Sequence, residues 1–273
     1  MATFMFWNTA GKQCSSEVRS ICQNYNVDIV ILAEQKFDSR EMLTALNTEA
    51  DASYTHIPTL QRRLSLFTRF PLAWFETRFE SGHAVIQQIR IPIARPIILA
   101  SVHLPSKLHI TEADHSFYAA NLLDAITNEE RRQGHRHTIV IGDFNMDPFE
   151  AGMTMVGGLH ALMDRKITTI EGRRINGRNY PMFYNPMWSL LGDGSKGPPG
   201  TYFYNSGHPL NYYWHTFDQL LLRPELLEAF THENLHVVTK AGDSELLRRN
   251  GRIDGSISDH LPIVIRLDIE GRF

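Results

Sequence analysis

Eleven short runs of strand-forming residues are spread along the whole chain, against only two long helical stretches. The runs fall at 3–7, 27–33, 52–57, 64–69, 72–79, 84–91, 97–103, 138–141, 212–222, 235–238 and 262–267. Helical spacing is clearest at 12–25, through Val18, Ile21, Cys22 and Tyr25. It recurs at 112–132, through Phe117, Ala120, Leu123, Ala125 and Ile126, with acids early and Arg131-Arg132 late. A short helix is expected at 39–46. So many strands with so few helices do not suit a simple doubly wound sheet. The pattern predicts an α/β (α+β) fold, with two stacked mixed sheets flanked by helices.

The 273 residues suffice for one large core, and no composition break divides them, so a single domain over 1–273 is expected. Regularity fails at about 172–215, an insertion rich in Gly, Pro and aromatic residues, with a flexible-looking segment from Gly192 to Gly200. The net charge of -3 argues against a surface that grips nucleic acid indiscriminately, while leaving room for a local basic patch. The two cysteines, Cys14 and Cys22, have neither metal nor redox spacing. No signal-peptide pattern opens the sequence and no apolar run is long enough to span a membrane, so a cytoplasmic location is expected.

The chemistry lies at the strand ends. Ile139-Val140-Ile141-Gly142-Asp143-Phe144-Asn145 places an acid and an amide two residues apart, so that both can face one side of an extended chain. Ser258-Asp259-His260 stands just before another apolar run. The run at 3–7 leads into Asn8, the run at 27–33 into Glu34 with Lys36 beyond, and the run at 97–103 ends in His103. Asp218 lies inside a further run and needs a partner if buried; an imidazole would serve. Singly, each has an ordinary explanation: a turn asparagine, a paired acid, a satisfied histidine. Together, carboxylates, amides and imidazoles at five or more strand ends are the groups that hold a divalent cation against a phosphate.

The segments Trp7-Asn8, Leu32-Ala33-Glu34, Ser101-Val102-His103-Leu104, Gly142-Asp143-Phe144-Asn145, Phe217-Asp218 and Ser258-Asp259-His260 resemble, in order, the endonuclease/exonuclease/phosphatase superfamily. The resemblance spans nearly the whole chain and follows no single subfamily throughout. It implies a four-layer α/β/β/α sandwich with the site at one edge of both sheets. It also implies Mg²⁺ (or Mn²⁺) held by Glu34, with Asn8 and Asp259 nearby. Asp143 would activate the attacking water, Asn145 and His260 would hold the scissile phosphate, and Asp218 would pair with His260. The general-acid role of His103 is the loosest match, because no Glu stands near Gln61-Arg62-Arg63-Leu64 to back it.

A phosphodiesterase, most simply a nuclease acting on DNA or RNA, is the leading expectation. A phosphomonoesterase for inositol phosphates, phospholipids or small nucleotides is the alternative, and a non-catalytic binding protein a third. Lys36, Arg173, Arg174 and Arg178 are expected to meet phosphates, and Tyr184 and Trp188 to stack on a nucleotide chain. The same aromatics could instead pack the insertion onto a sheet.

Overall fold

The computed structural model describes the chain except for residues 37, 49–52, 93, 109, 195–196, 208 and 270–273. Two large sheets carry the fold. The first is built from β1 (Ala2–Asn8), β2 (Ile29–Ala33), β3 (Thr55–Ile57), β4 (Leu64–Thr68), β16 (Leu235–Val237) and β19 (Ile263–Leu267), in the order β16-β19-β1-β2-β4-β3. The second is built from β5 (Phe75–Glu80), β6 (Ala84–Ile89), β7 (Ile97–His103), β8 (Thr138–Asp143), β9 (Ala161–Leu162), β12 (Phe183–Tyr184) and β15 (Asp218–Leu222), in the order β5-β6-β7-β8-β15-β12-β9. Three small hairpins stand apart: β10 (Arg173–Ile175) with β11 (Arg178–Tyr180), β13 (Tyr202–Phe203) with β14 (Trp214–His215), and β17 (Lys240–Ala241) with β18 (Ser244–Glu245).

The central strands are apolar at every position because both their faces are covered. In β1, Phe4 and Phe6 enter the core between the sheets, with Ile31, Leu99, Ile141 and Leu220. Met5 and Trp7, one step out of phase, enter an outer core beneath α1 (Ser15–Tyr25) and α2 (Ser39–Leu46). On the second sheet, Ile98, Ala100 and Val140 meet α3 (Glu112–Gln133) through Ala119, Leu122 and Ile126. Period-two alternation thus feeds two different cores. The layer order is helix, sheet, sheet, helix, as expected.

A helical crossover joins a parallel pair in each sheet, β1-α1-β2 in the first and β7-α3-β8 in the second, where the short β9 and β12 also pair in parallel. Parallel pairing brings both C-terminal strand ends to the same edge. In register, Asn8 lies beside Ala33, and His103 beside Asp143. The antiparallel neighbours β15 and β19 bring their N-terminal ends there, starting from Asp218 and just after His260.

Two expectations need correction. The α3 face is not the one expected: Phe117 is exposed, and the buried stripe is His115, Ala119, Leu122, Ile126, Glu129 and Glu130. Glu130 accepts from the Thr138 hydroxyl at 2.7 Å and from buried Arg223 at 2.8 and 3.1 Å, and those bonds make a charged residue tolerable inside. The long run at 212–222 is broken, because the chain leaves the β13–β14 hairpin at His215 and joins the second sheet only at Asp218. The N-terminal part of the strand expected at 52–57 lies partly outside the described residues, as do Ser195 and Lys196 of the Gly192–Gly200 segment.

Candidate active site

At the shared edge, Asn8 (β1), Glu34 (after β2), Asp143 (β8), Asn145, Asp259 and His260 line a single cavity of about 670 Å³. Glu34 and Asp143 come from different sheets, yet they border the same space. The Asn8 amide Nδ2 lies 3.0 Å from Asp143 Oδ2 and 3.4 Å from Glu34 Oε1. His103 Nε2 lies 3.3 Å from Glu34 Oε1 and 3.9 Å from Asp143 Oδ2.

Local backbone geometry sets these positions. Glu34 has φ 54°, and its N–H donates to the Arg63 carbonyl, which turns the chain sharply off β2. Asn145 has φ 51°; its N–H donates to Asp143 Oδ1 at 2.8 Å and its side-chain amide to the Leu104 carbonyl at 2.9 Å. A left-handed conformation is one that Asn tolerates better than most residues. The loop before β19 is fixed by Ser258, which donates to the Asn8 carbonyl at 2.8 Å and accepts the His260 N–H at 3.1 Å. Trp7 Nε1 donates to the His260 carbonyl at 2.9 Å.

The electrostatics divide the acids by role. The hydrogen bond from His103 holds the Glu34 carboxyl down at about 2, against the opposing effect of partial burial. Burial pushes Asp218 up, while His260 pulls it the other way. Burial also disfavours charge on His260, but the Asp218 carboxylate, 2.8 Å from Nδ1, outweighs it and lifts the imidazole to about 10. The pair therefore keeps a proton on His260, whose Nε2 lies 3.9 Å from Asp143 Oδ2.

The donors suit a hard divalent cation. Three carboxylates, Glu34, Asp143 and Asp259, line a cavity where the lysine present, Lys107, is already paired with Glu150. A phosphate would be repelled from that end without added positive charge. Asn8 fits less directly than expected, because its Oδ1 accepts the Ala10 N–H at 3.0 Å and its Nδ2 faces the acids. His103 Nδ1 and Asp218 Oδ1 are buried with no hydrogen-bond partner among the described residues.

Most of the expected substrate contacts are elsewhere. Arg173, Arg174 and Arg178 lie exposed on the separate β10–β11 hairpin, and none lines the cavity. Tyr184 is buried between the sheets, paired with Leu222 at the opposite end of β15, and its hydroxyl meets His232 at 2.9 Å. Four residues of strand, roughly 13 Å, separate that level from Asp218. Trp188 packs edge-on against Phe149 and does not line the cavity. Lys36 is exposed and lies alongside Gly11, where an added Cβ would come within 2.7 Å of its side chain.

Another wall of the cavity leaves no mark in the sequence. Tyr202 pairs with His215 across the β13–β14 hairpin and bridges to His260 on its other side. Its ring lies 4.7 Å from that of His260 and stacks at 5.1 Å on Phe217. Burial, helped by the nearby acids, raises the Tyr202 phenol to about 12, so it stays a neutral donor. Tyr202 belongs to the aromatic insertion, but nothing in its spacing singles it out.

The chain matches the Endonuclease/Exonuclease/phosphatase family over residues 5–260. No curated protein matches it. Among solved structures, the 3′ phosphatase NExo from Neisseria, bound to a product DNA hairpin, is 14% identical with a TM-score of 0.60, over 98% of this chain and all of that one. The human Nocturnin catalytic domain is 18% identical with a TM-score of 0.56, over 98% and 94%. The endonuclease domain of the telomere-specific retrotransposon TRAS1 is 12% identical with a TM-score of 0.57, over 99% and all of that chain. These likenesses concern the fold.

Proposed function

The chain belongs to the endonuclease/exonuclease/phosphatase family, and from that premise we propose that it is a divalent-metal-dependent phosphodiesterase, a nuclease hydrolysing DNA or RNA. The observation that carries this reading is the convergence of Glu34 and Asp143, from two sheets, on the single Asn8 amide. In this reading Glu34 and Asp259 hold Mg²⁺ (or Mn²⁺). The ion, when bound, supplies the positive charge that lets a phosphate approach this acidic edge.

The chain's own residues do the rest. Asp143 orients a water for in-line attack and takes its proton at Oδ2, while Oδ1 stays bonded to the Asn145 N–H. His260, kept protonated by Asp218, donates from Nε2 to a phosphate oxygen, and Asn145 binds another. His103, bonded to Glu34, positions that carboxylate. The two free, buried thiols of Cys14 and Cys22 suit the reducing cytoplasm expected for the chain.

The test is a panel of a diester reporter, a monoester reporter, and single- and double-stranded nucleic acids, each with Mg²⁺ or chelator, with Asp143→Asn as control. Metal-dependent turnover of diesters, abolished in the variant, is expected. Turnover of monoesters alone would transfer the same site to phosphomonoester hydrolysis. Full activity of Asp143→Asn would reject the mechanism.

A further inference from the structure

The cavity holds a second histidine–aspartate pair. His215 Nδ1 lies 2.7 Å from Asp147 Oδ2, and Asp147 is buried. Asp147 is fixed on its other sides: Oδ1 accepts the Thr216 N–H at 2.8 Å, and its own N–H donates to Glu150 at 2.7 Å. Residues opposite each other across paired strands share a face. Tyr202 is opposite both His260 and His215, so the three rings form a row, with centroids 4.7 and 6.3 Å from that of Tyr202. His260 faces the acids. His215 stands on the far side of Tyr202 along the same wall, stacked at 4.8 Å on Phe217.

Among the described residues, this end of the cavity has no surplus positive charge. Lys107 lies 4.9 Å above the Phe217 ring and is paired with Glu150, and His215 is paired with Asp147. A second phosphate would find no uncommitted cation among the described residues there. The lining is otherwise uncharged and largely aromatic and apolar, from Tyr202, Phe217 and Tyr204 to the exposed side chains of Leu108 and Leu210, with Ser106, Ser206 and Asn211 as neutral polar neighbours. With Nδ1–H committed to Asp147, His215 Nε2 remains as a polar atom able to meet a ligand's edge.

We propose that this end of the cavity is a nucleobase pocket, in which a planar heterocycle lies along the Tyr202–Phe217 wall and His215, held by Asp147, contacts its hydrogen-bonding edge. The proposal rests on the phosphodiesterase reading for the neighbouring phosphate. It names the group flanking that phosphate as a base, which disfavours inositol polyphosphates, whose further phosphates would need cations. His215 is a specificity residue here, outside the chemical step.

Calorimetry on Asp143→Asn protein with Mg²⁺, titrated with AMP or with ribose 5-phosphate, isolates the share of the base without turnover. AMP is expected to bind at least about fivefold tighter, the factor that weak base stacking supplies. His215→Gln or Tyr204→Ala, made in that background, should shrink the preference and leave ribose 5-phosphate binding unchanged. Tyr204 is 46% exposed, so its replacement does not threaten the fold. A short single strand in place of AMP separates the sources: tighter binding assigns the base to a strand, weaker binding to a free nucleotide, and either supports the pocket. Equal affinity for AMP and ribose 5-phosphate, or a preference that survives both substitutions, overturns the pocket alone. Failure of every ligand to bind overturns the phosphate site with it.

Discussion

Asp143 and Asp218 stand directly opposite each other across the antiparallel β8–β15 pair, and His260 lies within reach of both carboxylates. The two acids divide their work by contact. Asp218, fully buried, bonds the imidazole Nδ1, whereas Asp143 turns Oδ2 to the cavity. Replacing Asp143 by Asn should leave the melting temperature nearly unchanged and lower kcat by about 10²–10⁴, the range for loss of a general base. Asp218→Asn should act through His260. Because Asp218 is what raises the imidazole to about 10, the folded protein's His260 should lose its proton at a lower pH in the variant. An NMR titration of the ring reads this directly, and an unshifted titration would remove Asp218 from the role of partner.

His103 is the first cause of the low value of Glu34, about 2. The sign is that of a depressed carboxyl: the ionised form is favoured in the fold and persists until the pH falls through that value. His103→Ala should move Glu34 back toward its ordinary value of 4.5. Metal affinity should then weaken more at pH 5 than at pH 8, because only near pH 5 does the variant begin to protonate Glu34. Equal weakening at both pH values would show that His103 does not set the ionisation of Glu34.

The β10–β11 hairpin makes the opposite kind of prediction. Arg173, Arg174 and Arg178 are exposed, stand on a separate two-stranded sheet and stay clear of the cavity. Replacing all three by Ala should change kcat/KM on a mononucleotide ester by less than about twofold and stability by less than about 0.5 kcal/mol. A tenfold loss on that small substrate would place the hairpin at the site after all.

The edge where the candidate residues meet was readable because those residues end apolar runs. Glu34 directly follows β2, His103 and Asp143 end β7 and β8, and burial at both faces makes those strands conspicuous. The second wall was not readable for a physical reason. Tyr202 and His215 belong to strands of two residues each, too short to show alternation, and they meet through pairing across a loop. Asp147 sits two residues beyond Asn145, but its partner His215 lies 68 residues away. Tyr184 misled because an aromatic in a Gly- and Pro-rich stretch reads as loop, whereas a two-residue strand takes it into the core. On α3, paired Glu130 breaks the apolar stripe that would have marked the buried face.

Gly142 shows how a packing requirement can look like part of a chemical motif. It pairs with Val102 across the parallel β7–β8 ladder, where an added Cβ would lie 2.0 Å from the Val102 carbonyl oxygen. That neighbour is backbone in the middle of a sheet buried on both faces, so it cannot rotate away as a side chain would. Relief requires separating β7 from β8, the two strands that deliver His103 and Asp143. Gly142→Ala should therefore cost at least about 3 kcal/mol, the upper end of overpacking penalties. It should also lower kcat through displacement of both ends. Urea denaturation at fixed pH measures the first effect, and the reporter assay at a temperature where the variant is still folded measures the second. A loss below about 1 kcal/mol would mean that the ladder yields more easily than a close-packed interior allows.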